Sequence, residues 1–499
     1  MADRTVRNVR RLSEQTLDDL PASVAKPNYR LSSTRIGIVH IGAGAFHRAH
    51  QAVYIDDLLA AHPDWAICGV SLHSADVRDA LRPQQGLYAL LLLGQQTQLR
   101  VIGSIRELLC ARDESAAVLA RLADPAVRLV TLTVTEKGYC LAGQDLDMTH
   151  PDIVHDLAQP ESPRSAIGYV AAGLRQRWKF GLAPYTVLSC DNLADNGHRL
   201  RRAVLQYAQQ IDPALAAWIE AQVSFPCSMV DSITPATDDA LRDRISDELG
   251  CQDAWPIQRE TYAQWVIEDR FCNQRPPFEL VGVTMSHDIA GYDRAKLRLL
   301  NGAHSSLAYL GSLMNLETVA DAMNEPLLAG FVERLMREAI APVIALPNEL
   351  DAADYIDAIL ARFRNPAIRH RLAQIAWDGS QKLPVRLLST IADALAADKP
   401  IDELCLAVAA WMQFVRRQVR NGVTLVDPLA DVLAAIGRAC TGDAAGDVNA
   451  FLQLDTIFFA PLSQDARFIR GLQVAYATLA DGSPASASHT LTAAMNRGP

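Results

Sequence analysis

Two patterns of apolar spacing divide this chain. Up to about residue 285, short β-branched runs alternate with amphipathic stretches. The first run, Arg35-Ile-Gly-Ile-Val-His-Ile-Gly42, predicts a buried strand that ends at a glycine. A helical pattern from about Phe46 to Ala61 follows, and Trp65 to Val70 reads as a second strand, so the order is that of a βαβ unit. Further runs at Leu99 to Ile102, Arg128 to Thr135 and Tyr185 to Ser189 alternate with helical stretches at Ala116 to Leu122 and Ser165 to Trp178. A parallel sheet with helices on both faces explains that alternation.

Beyond about residue 286 the strand signal fades. Long amphipathic patterns take its place at Ala295 to Met314, Pro326 to Ile344, Tyr355 to Phe363, Leu383 to Ala397 and Leu404 to Val419. The expected class is therefore α/β, with a Rossmann-type parallel-sheet domain over residues 1–285 and a mostly α-helical domain over 286–499. Pro276-Pro277 and the region of Gly291 are candidate edges of the join. Residues 1–34, with Pro21 and Pro27, predict an irregular arm. Ser483 to Pro499 predicts a frayed tail.

Composition narrows the class without changing this division. At 499 residues the chain exceeds a single compact core. With 49% hydrophobic and 21% charged residues, extensive disorder is not expected. A net charge of −10 argues against nucleic acid and membrane surfaces as partners. The longest apolar run, Ala89 to Leu93, is too short to span a bilayer. Arg4, Arg7, Arg10 and Arg11 are followed by Glu14, Asp18 and Asp19 rather than an apolar segment, so neither a signal nor a transit peptide is expected. Nine scattered cysteines with no C-x-x-C point to reduced thiols in a cytoplasm.

The candidate chemistry sits in Tyr292-Asp-Arg-Ala-Lys-Leu-Arg-Leu-Leu-Asn-Gly-Ala-His304. On a regular α-helix Asp293, Lys296, Asn301 and His304 share an arc of roughly 140°. Leu297, Leu299, Leu300, Leu307 and Leu310 imply that this helix is mostly buried, and buried polar groups need partners or a purpose. A desolvated lysine exchanges protons near neutrality, while an amide and an imidazole bind an oxygen whose charge changes. That set suits oxidation of an alcohol or reduction of a ketone.

Ile41-Gly42-Ala43-Gly44-Ala45-Phe46-His47 carries the first two glycines of a dinucleotide fingerprint, with His47 at the third position. Its place, after the first buried strand and opening a helix, predicts a backbone cradle for a pyrophosphate. Asp76, beyond the second strand, could accept from ribose hydroxyls and repel a 2′-phosphate, which favours NAD over NADP. His40, His47 and His50 lack spaced partners for a metal, so no metal is expected and Lys296 is the candidate proton donor to a carbonyl. Tyr292-x-x-x-Lys296 matches the spacing of short-chain dehydrogenases, but there the pair lies inside the nucleotide domain; here about 250 residues separate it from the glycine turn.

The chain resembles the polyol-specific long-chain dehydrogenase family, which includes the mannitol 2-dehydrogenases and fructuronate reductases. The matching segments are Gly42-Ala-Gly-Ala-Phe-His-Arg-Ala-His-Gln51, Thr133-Val-Thr-Glu-Lys-Gly-Tyr139, Ser189-Cys-Asp-Asn192, Phe225-Pro-Cys-Ser-Met-Val-Asp231, Trp265-Val-Ile-Glu-Asp269, Lys296 to His304, and Asp378-Gly-Ser-Gln-Lys-Leu-Pro384. By that resemblance Lys296 is the general acid/base, Asn192 and Asn301 stabilise the developing alkoxide, and His304 holds the substrate oxygen. Asp293 stands where the family usually places a glutamate in a proton path to solvent. Asp231 and Lys382 match positions that bind the substrate chain, and Thr135 belongs to a cofactor-binding segment. The resemblance also implies a metal-independent enzyme and a monomer.

Two departures bear on the substrate. Ser232 follows Asp231 where the family normally has arginine, and Gln374 stands eight residues before Lys382, as in fructuronate reductases, where mannitol 2-dehydrogenases can carry arginine. A uronate wants a cation for its carboxylate. Lys137, Arg371, Lys382 and Arg386 are near the matching segments, which favours D-fructuronate and D-mannonate as the substrate pair. Mannitol with fructose is the alternative, and a non-catalytic dinucleotide-binding sensor is an alternative of another class.

Overall fold

The computed structural model describes residues 10–496. Arg4 and Arg7 of the arm, and the last three residues of the tail, lie outside them. The chain divides into two compact units, Met1–Ala290 and Gly291–Pro499.

The first unit is built on a sheet of five parallel strands: Ile36–Ile41, Ala66–Ser71, Ile105–Cys110, Leu129–Leu132 and Thr186–Ser189. Their spatial order is third, second, first, fourth, fifth. The direction of winding therefore reverses between the first and fourth strands, where His40 lies opposite Thr131. In open α/β sheets that reversal opens a crevice beyond the strand ends. Both faces of the sheet are covered: Val39, Ile41, Val130 and Val187 pack into one layer, and Ile38, Ile67, Leu129 and Leu188 into the other. Burial on both sides is why these strands read as continuous apolar runs.

The run at Leu99 to Ile102 is not part of that sheet. It forms Gln98–Ile102, antiparallel to Tyr88–Leu93, which in turn pairs in parallel with Ile257–Glu260 in a separate three-stranded sheet. The missing parallel strand is Ile105–Cys110, an edge strand whose Arg106 and Glu107 are half-exposed. One wet segment of an edge strand breaks the apolar run that would have marked it. The helix expected from Phe46 to Ala61 is also interrupted. Ala45–Ala49 and Gln51–Leu58 meet at His50, whose φ of −122° and ψ of −86° lie outside the helical region, and whose Nε2 bonds to the Gln264 carbonyl at 2.9 Å.

The second unit is helical. A continuous helical run from Ile289 to Leu313 is widened at Lys296–Leu300 into a π turn. Two further π turns, Leu335–Ile340 and Pro384–Leu388, interrupt later helices. Leu299, Leu307, Leu310, Phe331, Leu387 and Trp411 are among the residues of a single large core. The expected frayed tail is ordered helix over Pro484–Met495. Ser483 caps it by accepting from the Ser486 N–H, and Ala487 and Leu491 are fully buried. Its buried stripe, Ala487, Thr490 and Leu491, holds a single large apolar residue, so the segment reads as polar even though it packs. Among the described residues no helix is long and apolar enough to cross a membrane.

Candidate active site

In the first unit the strand end at Ile41 turns sharply at Gly42, whose φ is +99°. A Cβ there would stand 2.1 Å from the Thr133 carbonyl oxygen, so only glycine fits. Gly42 N–H donates to the Val70 carbonyl (2.7 Å) and Gly44 N–H donates back to the Gly42 carbonyl (2.6 Å). Gly44 is different: a Cβ on it would meet nothing nearer than the Gly42 oxygen at 3.8 Å. It opens the Ala45–Ala49 helix, and no side chain caps that N-terminus. Open space beside uncapped N–H groups, at the sheet's switch point, fits a pyrophosphate.

His40 braces this turn from below. Its Nδ1 lies 2.7 Å from Thr131 Oγ1 and its Nε2 lies 2.8 Å from Thr133 Oγ1, while Thr133 Oγ1 donates to the Gly42 carbonyl at 2.8 Å. The neutral tautomer with its proton on Nε2 satisfies all three contacts. Burial pushes the His40 pKa down to about 3, against a lesser upward pull from the Gly42 carbonyl. His47 stacks on it, ring centroids 3.3 Å apart. His40 and His50 are thus each engaged by the fold.

Thr133 begins a second turn, on which Thr135 has φ +64° and ψ 165°. That region is essentially glycine's own. Asp191 holds it there: Oδ2 accepts from Val134 N–H (3.0 Å) and Oδ1 from Thr135 N–H (2.8 Å), with the Tyr139 hydroxyl donating to Oδ2 at 2.7 Å. Burial pushes the Asp191 carboxyl up, and these three donors pull it partly back. Its neighbour Asn192 is exposed. Asn196, 1% exposed, bonds the Asp191 carbonyl and both backbone groups of Ser228, which begins the strand ending at the buried Asp231. Asp76 lies apart from this network, exposed in the first turn of the Asp76–Leu81 helix, with its N–H on Ser74 Oγ.

In the second unit Lys296 and His304 are 8% and 7% exposed, with Asn301 and Asp293 half-buried. The Asn301 N–H donates to the Lys296 carbonyl, five residues back. A turn of roughly 4.4 residues brings the four polar side chains within an arc of roughly 70°, half that of a regular helix. Arg386, in the π turn Pro384–Leu388, donates from Nη1 to the Ser305 hydroxyl (3.1 Å) and, at 3.5 Å, to the Asn301 carbonyl. Lys382 donates from Nζ to the carbonyls of Trp377 (2.5 Å) and Ile375 (3.3 Å).

His304 lies against Phe363 (4.4 Å between centroids) and edge-on to His370 (5.3 Å). Burial holds its pKa well below the ordinary value, and His370, Arg362 and Arg386 push in the same direction. Burial likewise lowers Lys382, aided by Arg386 and opposed by Asp378 and Asp427. Arg386 itself is lowered by burial. Arg362 and Arg386, with Lys382 beside Arg386, thus give His304 a cationic setting, while burial and Lys382 keep the His370 pKa down. Arg371 is not part of that setting: it is exposed, 3.8 Å from Glu317.

Sequence reasoning passed over Asp191, Asn196 and His370. The first sits beside Asn192 in a quoted segment, and its carboxylate was the available signal. For Asn196 and His370 no spacing marks the contacts with Ser228 and His304, which lie far along the chain.

A family model described as the mannitol dehydrogenase Rossmann domain matches residues 36–280, and one described as the mannitol dehydrogenase C-terminal domain matches residues 288–480. The D-mannonate oxidoreductase of Escherichia coli (strain K12) is 42% identical over 476 residues, 93% of this chain and 98% of its own. A mannitol 2-dehydrogenase of Phaeosphaeria nodorum is 37% identical over 481 residues, 94% of this chain and 83% of its own. Among solved structures, the Pseudomonas fluorescens mannitol 2-dehydrogenase ternary complex with NAD and D-mannitol is 38% identical, with a TM-score of 0.78 over 98% of this chain and 100% of that one.

Proposed function

Because the chain belongs to the mannitol dehydrogenase family and is an oxidoreductase, we propose that it interconverts D-mannonate and D-fructuronate with NAD(H). The observation that carries the choice of a sugar acid is the cationic setting of His304, with the guanidinium groups of Arg362 and Arg386 near it and Lys382 beside Arg386; His370 is held neutral by burial and Lys382. Cations kept from water are costly without an opposing charge. A substrate carboxylate supplies it. The 42% identity to a D-mannonate oxidoreductase points the same way.

Ile41, Gly42, Ala43, Gly44, Ala45 and Phe46 would hold the cofactor, with Thr135 beside them and the charge of Asp76 disfavouring a 2′-phosphate. NAD+, bound there, would supply the acceptor for the hydride that leaves the carbinol carbon. Lys296 in its neutral form accepts the hydroxyl proton, and Asp293 passes it to solvent. The carboxamides of Asn192 and Asn301 donate to the oxygen as its charge grows. His304, kept neutral by its surroundings, orients that oxygen. Asp231 binds hydroxyls of the substrate chain; Lys382 and Arg386 face its carboxylate. No metal enters this scheme, since Lys296 does the work of polarising the carbonyl. The protein acts as a monomer in the cytoplasm.

Purified protein assayed with NADH and NADPH against fructuronate, fructose and tagaturonate decides the matter. Fructuronate should give the highest kcat/KM, with NADH preferred. If fructose wins by more than about tenfold, a preference of roughly 1.4 kcal/mol in the transition state, the enzyme is a mannitol 2-dehydrogenase. That second reading is favoured by the likeness to the NAD and D-mannitol complex.

A further inference from the structure

We propose that Asp191 is a positioning residue for cofactor binding: its carboxylate keeps the Val134–Thr135 turn in the one backbone conformation that completes the dinucleotide cradle. This rests on the NAD(H) reading above.

Three observations converge on it. Thr135 is a β-branched residue at φ +64°, ψ 165°, where a side chain is strained. Its N–H and that of Val134 both end on Asp191, one on each carboxylate oxygen. The same short segment, two residues earlier, is welded to the glycine turn: Thr133 N–H donates to the Ile41 carbonyl (2.9 Å) and Thr133 Oγ1 to that of Gly42. Tension at Thr135 is thus transmitted to Gly42 through three consecutive residues.

Asp191 is itself over-determined. The Tyr139 hydroxyl donates to Oδ2, and that hydroxyl is itself fixed 2.5 Å from Ser189 Oγ on the preceding strand. Asn196 fixes the Asp191 carbonyl and bridges to Ser228, whose hydroxyl donates to the Ser189 carbonyl at 2.6 Å. A carboxylate gripped this firmly can hold a neighbour in a conformation the neighbour would otherwise leave. An amide in its place keeps one acceptor and turns a donor towards the second N–H. Relaxation of Thr135 to negative φ then follows, and the cradle loosens.

The test is a double-mutant cycle on NADH affinity, read by fluorescence titration. Asp191→Asn in the native background should weaken NADH binding at least tenfold. Glycine adopts φ +64° without strain, so in a Thr135→Gly background the same change should weaken binding less than threefold. An aspartate needed only for core stability would show the same penalty in both backgrounds, and that outcome overturns the proposal. Should Asp191→Asn fail to fold, the cycle is run with Tyr139→Phe, which removes one donor to the carboxylate. A few-fold weakening is then expected, again relieved by Thr135→Gly; an unrelieved or absent effect overturns the proposal. If the unaltered protein binds neither NADH nor NADPH, the cofactor reading has failed and this inference fails with it.

Discussion

The backbone N–H of Asn301 donates to the carbonyl of Lys296, so one wide turn couples the candidate base to the candidate oxyanion donor. In a regular helix the two side chains would diverge by roughly 140°; in the π turn they diverge by roughly 50°. His304 then falls almost directly over Lys296. Such bulges recur at functional sites because they aim side chains that a regular helix would point apart.

Replacing Lys296 by alanine should abolish turnover while leaving NADH affinity within about threefold. Steady-state kinetics and a binding titration on the same preparation check this. Undiminished turnover excludes the lysine mechanism.

Asn301→Ala removes a donor that matters only as the oxygen gains charge. The expected cost is roughly 2.7 to 4 kcal/mol, or about a hundred- to a thousandfold in kcat, with KM for the sugar little changed. A rise in KM at constant kcat would mean that Asn301 binds the ground state alone.

The two glycines should part company. Gly42→Ala places a Cβ 2.1 Å from the Thr133 oxygen at a φ of +99° and should lower the thermal midpoint by several degrees. Gly44→Ala meets open space, so the midpoint should stay within about two degrees of the parent, while NADH binding weakens at least tenfold as the methyl occupies pyrophosphate space. Unaltered binding in the second variant would move the cofactor elsewhere.

Lys382→Met keeps much of the side-chain length and deletes the charge. The fall in kcat/KM should be about tenfold greater for fructuronate than for fructose, which has no carboxylate to lose a partner. Equal losses on both substrates would assign Lys382 to the polyol chain.

Acid should destabilise the first unit through His40. Its pKa is about 3 when folded and near 6.5 when exposed, so between those values the unfolded chain binds a proton that the folded chain refuses. Stability is full above about pH 6.5 and falls below it by up to about 1.4 kcal/mol per pH unit for this group. Urea midpoints at pH 7 and pH 5 should show a smaller drop in His40→Gln than in the parent. An identical drop would mean that His40 is protonated within the fold.

Much of the architecture was legible without coordinates. The strands at 36–41 and 129–132 announce themselves because burial on both faces demands unbroken apolar runs. The edge strand Ile105–Cys110 does not, since Arg106 and Glu107 reach water, and the Leu99 run that does look like a parallel strand belongs to another sheet. The last helix hid for a related reason. Its buried stripe of Ala487, Thr490 and Leu491 offers only one large apolar side chain, too little to register as hydrophobic.

What the chain's order of residues determined alone is local: the alternation of strands and helices, the glycine turn at Gly42, and the set of polar side chains from Asp293 to His304. Each follows from backbone sterics or a repeating period within a dozen residues. Tertiary structure decided the rest. The grip of Asp191 on Thr135 and the gathering of Arg362, His370 and Arg386 about His304 join residues about 55 to 80 positions apart. Such contacts exist only once packing has brought their elements together, and no local pattern encodes them.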